Sequence, residues 1–144
     1  MINILNIITW TTQKAYLASY TENEAAKKAA TKLWNAIDGG EWLPLSAMAF
    51  FTVLICLCYY FPFNNIPGRH YHPKWWGISG LVALIVAFLT TIGCCCFLAK
   101  NPEFDFGLIF KAALVNTFYA AVVYLLFSVI INRTGKSNAY PFPF

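Results

Sequence analysis

Apolar residues fill three long stretches of this chain, and charged residues mark where each stretch stops. No charged side chain falls within residues 42–68, 75–99 or 112–132, which gives uncharged runs of 27, 25 and 21 residues. A helix crosses the hydrocarbon of a bilayer with about 20 apolar residues. The pattern therefore predicts an all-α integral membrane protein with three transmembrane helices, near residues 43–62, 76–99 and 107–131. The runs show no two-residue alternation over ten-residue segments, which is what a membrane β-barrel would require. Their flanks fit the same picture. Trp42 precedes the first run, Pro44 falls in its first turn, and Trp75 and Trp76 open the second. Proline is tolerated where a helix needs no N–H, and tryptophan favours the headgroup level.

The first forty residues follow a different rule. Met1 to Thr12 is apolar and uncharged but too short to cross, and it lacks the basic start and cleavage site of a signal peptide. Further on, Ala26, Ala29, Ala30, Leu33 and Ile37 recur at helical spacing, with Lys27, Lys28 and Lys32 mostly off that stripe, and Gly39-Gly40 supplies a stop. Residues 3–38 are expected to form one or two amphipathic helices. These lie on the membrane surface or against a partner, or else pack on the bundle itself. The chain thus divides into an amphipathic segment (1–40), a three-helix membrane region (41–133) and a Pro/aromatic tail (134–144).

Composition narrows the class. The 144 residues are 59% hydrophobic and only 11% charged, with a mean hydropathy of +0.57. A soluble domain carries about 25% charged residues. A soluble enzyme, a disordered tail and a nucleic-acid binder are all disfavoured. Charge asymmetry says less. Lys27, Lys28, Lys32, Lys100 and Lys111 fall on one side of a three-span topology, and Arg69, Lys74, Arg133 and Lys136 on the other. Translocating the N-terminal helical segment without a signal peptide is unfavourable, so the N-terminus is expected on the cytoplasmic side. Cys56 and Cys58, and the consecutive Cys94, Cys95 and Cys96, do not have the spacing of a disulfide framework and read as reduced or lipid-facing thiols.

Lipid tails give helices no hydrophobic reason to associate, so helix packing in membranes falls to small residues and buried polar groups. Ala112, Asn116 and Ala120 recur four apart on the third run, as do Ala113, Thr117 and Ala121, and Ser128 extends the stripe. The second run offers Gly80, Ala83, Ala87 and Thr91. These faces are expected to pack on each other or on another subunit. Asn116 is the only strongly polar residue well inside a run; an interhelical hydrogen bond is its expected role. Lys111 can snorkel to the interface.

Catalytic chemistry is poorly represented. The runs hold no Asp or Glu, which disfavours proton pumping and ion-coupled transport. His70 and His72 flank Tyr71 and point the same way in an extended segment, but two ligands do not make a metal site. The basic and aromatic residues Arg69, His70, His72, Lys74, Trp75 and Trp76, with Trp42, are expected at lipid headgroups. In the tail, Tyr140, Phe142 and Phe144 alternate with prolines, and they are expected to re-enter the interface or dock on another subunit.

Three functions remain in order of preference. The first is a non-catalytic, assembling subunit of a membrane complex, whose partners are membrane lipids and further subunits. The second is a homo-oligomeric pore or membrane-perturbing effector, lined by Thr90, Thr91, Asn116, Thr117 and Ser128. The third is a small membrane enzyme or redox protein using the 69–74 loop. No cofactor is expected beyond bound lipids.

Overall fold

The computed structural model of the chain describes residues 4–20, 24–40, 42–63, 73–100 and 106–134. The described residues are helical apart from turns and short connections, with no strand among them. Six helices follow one another: α1 (Ile4–Thr9), α2 (Gln13–Ala18), α3 (Glu24–Asp38), α4 (Trp42–Tyr60), α5 (Pro73–Ala99) and α6 (Phe106–Arg133). By length and composition, α4, α5 and α6 can each cross a membrane. At 1.5 Å per residue they extend about 28, 40 and 42 Å.

Local chemistry sets the helix ends. Pro44 sits in the first turn of α4, where its missing N–H takes nothing from the helix. Helix α4 stops at Tyr60 because Pro62 cannot continue it and restricts Phe61 before it. Helix α5 begins at Pro73, three residues before the run predicted from sequence, and so takes Lys74, Trp75 and Trp76 into its first turn. Proline there is pre-set for helical φ. The last turn of α5 closes through Lys100, whose φ of 51° lies in the left-handed region. Gly39 and Gly40 end α3, their N–H groups bonding the carbonyls of Asn35 and Ile37 at 3.1 Å each. Gly40 also lies close against α5. A Cβ there would stand 2.4 Å from Leu98 of α5.

Helices α4, α5 and α6 pack as a three-helix bundle, α5 antiparallel to the other two. Thr91 pairs with Asn116 near one end, while Trp76 reaches Ser128 near the other. The interior changes along the axis. Its middle is built on Met48, Ala87 and Ala120. Aromatic residues fill one end, where Tyr59, Tyr60 and Tyr124 gather around Cys56 and Ala83. The opposite end is closed by α2 and α3. Ala30, Leu33, Trp34 and Ile37 of α3 and Tyr16 of α2 pack on Cys95, Ala99, Leu108 and Ile109. The amphipathic stripe of residues 24–38 is therefore turned onto the chain's own bundle, and the N-terminal segment comprises three helices rather than one or two. All five cysteines are free; Cys56 and Cys95 are buried and Cys58 is exposed.

The outer surface of the bundle is apolar. Phe50, Leu54, Leu81, Ile85, Leu89, Phe97, Leu114, Phe118, Leu126 and Ile130 are all exposed. An exposed belt of this extent is far larger than the apolar patches that monomeric soluble proteins tolerate.

Candidate functional site

The seam between α5 and α6 is the most ordered chemical feature of the bundle. Alanine at 83, 87, 112, 113 and 120 brings the two backbones close, and all five residues are fully buried. Asn116 and Thr91 face each other inside that seam, also fully buried. The Asn116 amide donates to Thr91 Oγ1 at 3.2 Å, and the Thr91 hydroxyl donates back to the Ala87 carbonyl at 2.8 Å. The donor side of the amide is satisfied. Its carbonyl oxygen, like the Thr52 hydroxyl on α4, is buried with no hydrogen-bond partner among the described residues. Thr117 lies at the margin, half-buried, its hydroxyl bonded to the Ala113 carbonyl at 2.7 Å.

A second polar group lies nearer the aromatic end. Ser128 is fully buried and accepts from the Trp76 indole N–H at 3.2 Å, with Cys56 Sγ 4.0 Å away. Tyr124 donates to the Trp76 carbonyl at 3.2 Å, and the two rings lie 5.5 Å apart. Gly80 makes room for that ring: a Cβ at 80 would meet Tyr124 at 3.3 Å. Trp76 thus points into the bundle. Trp75 joins the same aromatic cluster through other rings, its own 5.5 Å from Phe63, which in turn stacks on Tyr59 at 6.1 Å. Lys74 is exposed, with its ammonium 5.6 Å from the Trp75 ring. Trp42 is exposed at the opposite end of the bundle.

On the outside, α5 and α6 leave a shallow groove of about 310 Å³, lined by Trp76, Gly77, Gly80, Leu81, Leu84, Ala121, Tyr124 and Leu125. Gly77 is its most open point, since a Cβ there would touch nothing within 4 Å. Ala121, expected on the small-residue face, belongs to this outer groove as well.

Arg69, His70, His72, Tyr140, Phe142 and Phe144 lie outside the described residues. Among the described residues, no three His, Cys, Asp or Glu side chains converge as a metal site. The pore-lining set named from sequence is split by burial. Thr91, Asn116 and Ser128 are enclosed within the chain, while Thr90 and Thr117 are half-buried.

Sequence reasoning overlooked several residues. Trp34 completes the α3 stripe, four residues after Ala30 and three before Ile37, and its spacing alone identifies it. Gly77 is visible as a small residue beside Gly80 on the next turn. Trp10 and Tyr119 carried no such signal, because their hydrogen bond joins residues 109 apart in sequence. No protein-family model, curated protein or solved structure matches the chain, and its residues alone carry the functional conclusion.

Proposed function

We propose that this chain is a three-span integral membrane protein that acts without chemistry of its own, as an assembling subunit of a membrane complex. The observation that carries this reading is the division of labour in the bundle. Asn116, Thr91 and Ser128 are spent inside the chain, and the exterior offers large apolar side chains interrupted by the groove at Gly77, Gly80 and Ala121. Lipid-exposed helices associate where small residues let backbones approach. The groove gives a transmembrane helix of another subunit such a place, next to the aromatic end of the bundle.

The N-terminus is assigned to the cytoplasmic side. Among the described residues, Lys14, Lys27, Lys28, Lys32, Lys100 and Lys111 belong to the end closed by α3, against Lys74 and Arg133 at the other. Cytoplasmic segments carry the excess of Lys and Arg.

Gly77→Leu tests assembly, because a Cβ at that position meets nothing within 4 Å and the larger side chain occupies the groove. The purified wild-type particle is expected to exceed the 16.2 kDa of one chain, from further copies or from other subunits. Gly77→Leu is expected to reduce it toward the single chain without loss of helicity. A wild-type protein that is a lone chain in bilayers as well as in detergent refutes the proposal.

A further inference from the structure

The first thirteen residues carry no charged side chain, and within them α1 is too short to cross a membrane. Its place in the fold is nevertheless along the flank of a long apolar helix. The Tyr119 hydroxyl of α6 donates to the Ile7 carbonyl at 3.1 Å and accepts from the Trp10 indole N–H at 2.8 Å. The Trp10 ring stands edge-on to Phe118 at 5.8 Å. Nearer the start of α6, the Lys111 ammonium donates to Thr11 Oγ1. The chain therefore runs from beside Tyr119, at Ile7, toward the end of the bundle, at Thr11.

The depth follows from helix geometry. Eight residues separate Lys111 from Tyr119, a rise of about 12 Å along α6. The hydrocarbon of one leaflet is about 15 Å thick, half of the whole. With the Lys111 ammonium held at the headgroups, the Ile7 carbonyl lies below them, within that leaflet. The backbone agrees independently. A short helix leaves its last carbonyls without partners, and in hydrocarbon each must find one inside the protein. Here the Ile7 carbonyl has Tyr119, while the carbonyls of Thr9 and Thr11 each accept from the other's hydroxyl at 3.2 Å. The turn that permits this uses a left-handed Trp10, with φ of 49°. Ile7 and Trp10 remain exposed, in the company of Phe110, Leu114 and Phe118.

We propose that α1 is immersed in the hydrocarbon of a single leaflet beside α6, with the acyl chains of that leaflet as the partner of its Ile7 and Trp10 face. This rests on α4, α5 and α6 spanning the bilayer, and the test separates the two. In the full chain, Cys58, Cys94 and Cys96 are changed to Ser, leaving the buried Cys56 and Cys95. One nitroxide label is then placed at a time through Ile7→Cys, Leu89→Cys or Lys28→Cys, and the protein is reconstituted in phospholipid vesicles. Collisions with oxygen, which concentrates in hydrocarbon, are compared with collisions with a water-soluble nickel chelate. Oxygen is expected to prevail at 7 and at 89, and the chelate at 28. A label at 7 that behaves like 28, with 89 still in hydrocarbon, overturns the immersion of α1 and leaves the spans standing. Chelate access at 89 overturns both. In the unlabelled protein, acyl chains brominated near the midplane are expected to quench less emission once Trp10→Phe is made; an unchanged loss of emission also overturns the proposal.

Discussion

The Asn116–Thr91 pair makes an unequal prediction for two substitutions of similar size. Thr91→Ala removes the oxygen that accepts from the Asn116 amide, so both ends of that buried amide are then unpaired. An orphaned buried polar group costs about 1–3 kcal/mol, and a methyl-sized void about 1 kcal/mol more. Thr91→Ala is therefore expected to destabilise the bundle by about 2–4 kcal/mol. Asn116→Ala is different. It loses one interhelical hydrogen bond, worth about 0.6 kcal/mol on average in membrane bundles. It also deletes a carbonyl oxygen that has no partner among the described residues, and Thr91 keeps its own bond to Ala87. Relief of the orphan offsets the lost bond and the void, so the net change stays within about 1 kcal/mol of wild type. The double variant is then more stable than Thr91→Ala alone, because no amide is left to be stranded. Unfolding of the purified protein in mixed micelles of rising denaturing-detergent fraction measures all four corners of this cycle. A double variant less stable than Thr91→Ala refutes the reasoning, since it would mean that the amide finds partners independently of Thr91.

Three other substitutions examine the ends of the bundle. Trp34→Ala empties the largest side chain holding α3 to α5 and α6, an interior loss of about 3–5 kcal/mol; limited proteolysis is expected to cut residues 20–40 while α4, α5 and α6 stay intact, and simultaneous digestion of the whole chain would refute it. Trp34→Phe, which removes an indole N–H lacking a partner among the described residues, is expected to retain protection in the same assay. Ser128→Ala removes the acceptor of the Trp76 indole at the aromatic end; a loss of about 1 kcal/mol is expected on the same detergent titration, and no loss would show that the Trp76 contact contributes nothing.

The three long apolar helices were legible because charge is nearly binary in a bilayer. A single Lys or Glu ends an apolar run, so Glu41, Lys74, Lys100 and Lys111 framed α4, α5 and α6 to within a few residues. The largest shift, three residues, came where Pro73 starts α5 early; Pro62 stops α4 two residues early at Tyr60, and α6 runs two residues further, to Arg133. Helical spacing likewise exposed the small-residue faces of α5 and α6, but periodicity names a face and not its mate. Only the fold shows Asn116 against Thr91 in the same chain and Ala121 facing outward. The seat of α1 was illegible for a stricter reason. Its partners Lys111 and Tyr119 are about a hundred residues away, and nothing in a six-residue apolar helix selects one flank of α6 over another.

The placement of α1, α2 and α3 at one end of the bundle makes the molecule unequal in cross-section. Among the described residues, six helical elements crowd that end, while three reach the other. A body of this outline fits poorly in a flat sheet, because the two leaflets must yield different areas to it.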